Sequence, residues 1–261
     1  MSVNPNFLAF DTSTDRMSVA LTNGDRIWQH SGPGGALASS TLIPAVTALL
    51  AEAGLGLGDL QAIVFGRGPG SFTGLRTACA VAQGLALGAN GGAGIAVLPV
   101  DTLMAVAEEA RFQRMAKVAA GSGHQEPLQI TALLDARMNE MYVQSHVFNS
   151  GQWTSSGSCR LISPEEVTIG SGTQLVAGNV FDVYVGRLGG LAGLPCLEAF
   201  PTATALLRLA PTLASSGQCL DAALALPLYV RDKVALTTEE RTAVKKAKAD
   251  AALVDAGAAP R

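Results

Sequence analysis

Four glycines in nine residues, with a proline among them, separate a short apolar run from a long stretch rich in alanine and leucine: residues 62–65 read AIVF, residues 66–76 GRGPGSFTGLR, and residues 77–87 TACAVAQGLAL. This order predicts a strand, a tight turn and a helix over 73–87. Gly66, Gly68, Gly70 and Gly74 permit backbone paths that side chains would block. The turn is not a P-loop, because no Lys-Ser/Thr pair follows the glycines. It also misses the dinucleotide fingerprint, since Ser71 stands where the third glycine belongs, and Pro69 replaces the first glycine of a nucleophile elbow around Ser71. Two readings stay open. Either the turn locks the helix onto the sheet, or amides at the helix start hold an anion or a carbonyl.

The flanking chain supplies the rest of a lobe. Residues 7–10 and 17–22 are apolar or alternating, and Asn23-Gly24 predicts a hairpin turn before a third strand over 26–30. Ser39, Ser40 and Thr41 are placed to cap a helix in which Leu42, Val46, Leu49, Leu50 and Ala53 recur at helical spacing, with Pro44 in its first turn. A strand over 95–100 and a helix over 102–119 follow. The opening pattern then recurs. Asp135 ends the apolar run 131–134 and lies 124 positions after Asp11, while Met141 lies 124 after Met17, which points to an internal duplication. Residues 121–127 read as a loop, 175–177 as a strand, and 203–214 as a helix despite Pro211.

A net charge of −3 gives no global positive field to hold a phosphate backbone, so the chain is not expected to grip a nucleic acid strongly by itself. The uncharged stretch 77–100 is long enough to span a membrane, but Gln83, Asn90, Pro99 and the glycines at 91–94 favour helix, loop and strand. No secretory signal is visible, so a cytoplasmic location is expected. Cys79, Cys159, Cys196 and Cys219 form no paired motif and read as buried small hydrophobes. His30, His124 and His146 are too far apart for a helical metal pair. Asp11, Thr12, Ser13 and Thr14 put a carboxylate and three hydroxyls in one turn, a chemistry suited to magnesium and phosphate, although a self-satisfied Asx or Ser/Thr turn is the favoured reading. Asp135-Ala136-Arg137 matches it without the hydroxyls. No nucleophile stands beside a base. The 73–87 helix is apolar nearly all round and must be covered on more than one side, by its own lobe or by a second chain.

Four stretches carry a resemblance: LAFDTSTDRMSVAL at 8–21, FGRGPGSFTGLRTACAVAQGLALG at 65–88, LLDARMNEMYV at 133–143 and PLYVRDKVA at 227–235. Together they resemble the TsaB (YeaZ) family, in the right order across about nine tenths of the chain. The resemblance implies an α/β actin-like fold of two lobes, of the sugar kinase and Hsp70 type, each a mixed β-sheet with helices. It sets lobes at 1–101 and 102–236, with an Ala-rich tail at 237–261 expected to be a frayed helix or disordered. It also implies a non-catalytic subunit of threonylcarbamoyl transfer to N6 of adenosine 37 in tRNA, one that binds and organises the transferase TsaD together with TsaE.

TsaD itself follows a similar glycine segment and strand with a metal-binding H-x-x-x-H, and that pattern falls here on Thr102 and Val106, neither of which is a metal ligand. The chain is accordingly expected to need no metal or cofactor of its own, with ATP or ADP in the complex. Asp11, Thr12 and Ser13 are the nucleotide candidates, and Leu42, Val46, Leu49, Arg67, Arg76, Cys79, Ala82 and Gln83 the partner-facing ones. The same faces would serve a homodimer when the chain is alone. Ala38 stands where some relatives have His. The alternatives are a nucleotide-binding regulator and an ATP-dependent phosphotransferase of the same fold. An old glycoprotease label for the family finds no nucleophile or water-activating site in this sequence.

Overall fold

The structure is a computed structural model that describes residues 5–117 and 127–231. The chain divides into two units, Met1–Val230 and Arg231–Arg261, and both β-sheets lie in the first. The expected tail, most of the 121–127 loop with His124, and the last two residues of the 102–119 helix lie outside the described residues.

Two five-stranded sheets form the framework. In one, β1 (Phe7–Asp11), β2 (Arg16–Thr22), β3 (Ile27–Pro33), β4 (Ala62–Gly68) and β5 (Ala96–Asp101) take the order β3-β2-β1-β4-β5. In the second, β6 (Leu128–Arg137), β7 (Glu140–Asn149), β8 (Gln152–Ile162), β9 (Leu175–Gly178) and β10 (Cys196–Glu198) take the order β8-β7-β6-β9-β10. Strand for strand the two orders are the same. In both, the first three strands are antiparallel neighbours and the last two are parallel additions. The 124-residue offset thus reflects two copies of one lobe.

Because neighbouring residues on a strand face opposite sides, β1, apolar from Phe7 to Phe10, can be buried on both. Leu8 and Phe10 join Val19, Leu21, Ile63 and Phe65 beneath α1 (Ala38–Ala53) and α2 (Phe72–Gly88). Phe7 and Ala9 join Val64, Leu98 and Val100 on the other face, where α4 (Ala203–Ser215) covers them with Leu206, Leu207, Leu209 and Ala210. In the second sheet, Ile130, Ala132 and Leu134 pack on Leu103, Val106, Ala107 and Ala110 of α3 (Thr102–Lys117). The reverse face, with Leu133, Met141, Val143 and Val176, is closed by Val167, Val180, Tyr184 and Leu191 from connecting segments.

Three expectations change. A boundary at 101/102 puts α4 in the second lobe, yet its apolar stripe covers the first sheet, and Leu220 then bridges to Val97 of β5. Asn23-Gly24 belongs to a four-residue loop, because Thr22 pairs with Ile27 and Asn23 Oδ1 accepts the amides of Asp25 and Arg26. Ser39, Ser40 and Thr41 do not cap α1. Their hydroxyls bond back to the carbonyls of Ala36 and Leu37, the helix grows out of a 3-10 turn at Gly35–Leu37, and Pro44 sits inside it. The stretch Gly35–Ala53 is long and apolar enough to cross a membrane by composition, but Ala38, Leu42, Ala45, Val46 and Leu49 lie in the first-lobe core.

Candidate functional site

The turn after β1 and the glycine-rich turn after β4 lie directly against each other. Asp11 Oδ1 accepts the Ser13 amide at 2.8 Å and the Ser13 hydroxyl at 2.6 Å, an Asx turn. Thr12 Oγ1 donates to the Gly74 carbonyl at 2.7 Å, and the Ser71 amide donates to the Ser13 carbonyl at 2.7 Å. The glycines explain the approach. A Cβ on Gly66 would land on Asp11 Oδ2, one on Gly74 would land on the Thr12 carbonyl oxygen, and one on Gly70 would lie 2.6 Å from Ser13 Cβ. Gly68 has φ +121°, which favours glycine on its own account. The motif is therefore a seat for residues 11–13: the turn fixes the helix against the sheet, and the Ser71 amide at the helix start holds a carbonyl of the chain itself.

Asp11 and Thr12 are fully buried and Ser13 is 2% exposed. Among the described residues Asp11 Oδ2 has no hydrogen-bond partner. Burial pushes the carboxyl up to about 6, against the pull of the two Ser13 hydrogen bonds.

An actin-like fold implies a magnesium nucleotide at this turn. The residues present do not fit it: the Ser13 and Thr12 hydroxyls and Asp11 Oδ1 are engaged internally, and Oδ2 packs onto the Gly66 backbone. Mg²⁺ needs near-octahedral oxygen ligation at about 2.1 Å, and nothing here leaves room for it. The positions on which the H-x-x-x-H pattern falls, Thr102 and Val106, behave alike. Thr102 Oγ1 accepts the Gly68 amide at 3.1 Å, and Val106 is buried in the second-lobe core. Among the described residues no group of three His, Cys, Asp or Glu could hold a metal. His30 is exposed, whereas His146 is buried, with Nδ1 on the Ser155 hydroxyl at 3.1 Å. All four cysteines are free, but only Cys79 is buried as expected: Cys159 and Cys219 are half-buried and Cys196 is exposed.

The second-lobe turn is completed differently. Asp135 Oδ1 accepts the Tyr184 hydroxyl at 2.7 Å and the Arg137 amide at 2.9 Å. Its chain turns through Arg137, Met138 and Asn139, all left-handed.

The expected partner face divides in two. Leu42, Val46, Leu49, Cys79 and Ala82 point into the chain's own core and present nothing to a partner. The 220–230 segment lies across α2 and engages the others. Arg76 Nε donates to the Tyr229 hydroxyl at 3.1 Å while its guanidinium covers Phe72, which stacks on Tyr229 at 4.6 Å. Gln83 and Cys79 both donate to the Ala225 carbonyl, and the Leu228 amide donates to the Arg67 carbonyl. Arg67 Nε pairs with Asp101 at 2.6 Å. The outward residues are instead Ile43 on α1, Ala80, Gly84 and Leu87 on α2, and Leu224 and Leu226 beside them.

Sequence reasoning also missed a buried polar knot. Glu108 of α3, 2% exposed, accepts Arg111, Arg208 of α4 and the Trp153 indole of β8. Only an acidic residue in an otherwise apolar helix stripe hinted at it.

Comparison with known proteins decides the family. The chain is 34% identical over 251 residues to the tRNA threonylcarbamoyladenosine biosynthesis protein TsaB of Haemophilus influenzae, covering 88% of this chain and 95% of that one. It belongs to the TsaB (YeaZ) family. The TsaB of Escherichia coli is 31% identical over 235 residues, spanning 87% of this chain and 95% of its own. The solved structure of YeaZ from Pseudomonas aeruginosa superposes with a TM-score of 0.73 at 33% identity, covering 87% of this chain and all of that one. Residues 36–172 match the model of the family "TsaD: tRNA N6-adenosine threonylcarbamoyltransferase". The two-lobed actin-like architecture and a role in tRNA threonylcarbamoyladenosine biosynthesis follow from membership in TsaB/YeaZ.

Proposed function

We propose that this chain is a non-catalytic subunit of threonylcarbamoyl transfer to tRNA, which binds and organises TsaD together with TsaE. The observation that carries this reading is the pair Thr102 and Val106: where TsaD has two imidazoles at the start of the matching helix, this chain has an internal hydrogen-bond acceptor and a core valine. The scaffold is kept while the groups that would hold the metal are replaced. The face offered to TsaD is the outer side of α1 and α2 with the adjoining segment, where Leu87, Leu224 and Leu226 are 53%, 63% and 70% exposed. Large apolar side chains left exposed in this way suit a protein partner. The same face serves self-association when TsaD is absent, and tRNA is met through the complex, in the cytoplasm.

Reconstitution of tRNA modification from TsaC, TsaD and TsaE tests the reading. Activity is expected to depend on this chain, and full activity without it overturns the proposal. Leu87→Asp with Leu226→Asp should abolish co-purification with TsaD while the isolated chain still melts cooperatively. Retained binding would move the interface elsewhere.

A further inference from the structure

The feature left unexplained by the scaffold reading is Asp11, a fully buried carboxyl with one oxygen unpartnered. We propose that Asp11 is a proton-linked lock: it seals residues 11–13 onto the glycine turn as a neutral acid, and a proton is the one cation its free oxygen has room to take. The geometry carries this. Oδ1 accepts both Ser13 donors, whereas Oδ2 rests where a Cβ on Gly66 would stand, too close for any coordination shell. A buried carboxylate without a donor or cation on one oxygen is costly, and protonation removes that cost.

Among the described residues no neighbouring charge is placed to hold the ionised form. On its own turn, Asp15 is exposed and the Arg16 guanidinium lies over the Phe200 ring. On β4, Arg67 is committed to Asp101, and on α2, Arg76 is committed to Tyr229 and Phe72. The pairing residue on β2 is the neutral Ser18, and the polar group at the start of α3, Thr102, is engaged by Gly68. None of these has a hydrogen bond or ion pair with Asp11.

The sign follows from linkage. The unfolded carboxyl titrates at its ordinary 3.8 and the folded one at about 6, so over that interval the folded chain holds a proton the unfolded chain has released. The contribution is complete below about pH 4, declines as pH rises to about 6, and is gone above it. In the turn that an actin-like fold would give to a nucleotide, the ligand is thus a proton.

The test compares the full chain with Asp11→Asn, whose carbonyl keeps both Ser13 hydrogen bonds and carries no charge at any pH. From urea unfolding at pH 4 and pH 8, the ratio of the two unfolding constants should change roughly 100-fold, with the native chain relatively favoured at the lower pH. An unchanged ratio overturns the proposal. If the variant does not fold, carboxyl-carbon NMR of Asp11 in the folded native chain decides, with a midpoint near 6 expected and one near 4 contrary. A third arm adds Mg·ATP at millimolar concentration. No thermal shift is expected, and a Mg²⁺-dependent stabilisation of the native chain that Asp11→Asn loses overturns the lock. None of these readouts depends on whether TsaD binds.

Discussion

Glycines on one helix of this chain carry opposite expectations, because their surroundings differ. Gly74, in the first turn of α2, faces the Thr12 carbonyl oxygen, a backbone atom held by the Asx turn, whereas Gly84 has nothing within 4 Å of where a Cβ would stand. Gly74→Ala should therefore cost about 3 kcal/mol, since overpacking here must move main chain. Gly84→Ala should gain about 1 kcal/mol from helix propensity alone. Urea denaturation of the two variants beside the native chain checks both. Gly66→Ala belongs with the first, because its Cβ would meet Asp11 Oδ2.

At the scale of elements, α4 has the clearest dependence. Leu206 is fully buried between the helix and the first sheet, so Leu206→Ala should cost about 2–5 kcal/mol. Thermal unfolding reads the loss, and limited proteolysis should show the first lobe weakened although the helix comes after the second in sequence. That placement marks where the sequence ceases to be legible. The strands of the first lobe could be read because apolar runs and alternation are local signals, and the equal spacing of Asp11 and Asp135 pointed to the duplication. An apolar helix stripe tells only that a helix is covered, so the sheet beneath α4 could not be read from it. The candidate site divides in the same way. Glycine spacing identified the 66–74 turn, but its seat on residues 11–13 depends on chain segments remote in sequence. Leu42, Val46, Leu49, Cys79 and Ala82 have the spacing of a partner face and equally of a core face, and the structure assigns them to the core.

For the whole molecule, two buried groups titrate against each other. Burial pushes His146 down to about 4, the charge of Asp101 acting the other way, so the unfolded chain gains a proton below 6.5 that the folded chain refuses. Stability from His146 is lost as pH falls from 6.5 to about 4, over the interval in which Asp11 adds it. The native chain should thus show a shallow profile there. Asp11→Asn should expose an acid loss of about 3 kcal/mol, and His146→Gln should reverse the slope. Chemical unfolding at half-unit pH steps measures both. Glu108 ties α3, α4 and β8 together, and Glu108→Ala would leave Arg111, Arg208 and the Trp153 indole facing one another. A loss of about 3–5 kcal/mol is expected by urea denaturation, with Glu108→Gln recovering part of it.

The return of α4 to the first sheet also sets an order of events on the ribosome. Phe7, Ala9, Val64 and Leu98 are translated early, but their cover begins at Ala203. About 100 residues separate β5 from that helix, so at roughly 5–20 residues per second the sheet waits on the order of ten seconds with one face bare. The second lobe has its strands and α3 before the first lobe has its last helix. A message truncated before codon 203 would then release not a smaller folded lobe but a chain with an open, aggregation-prone sheet.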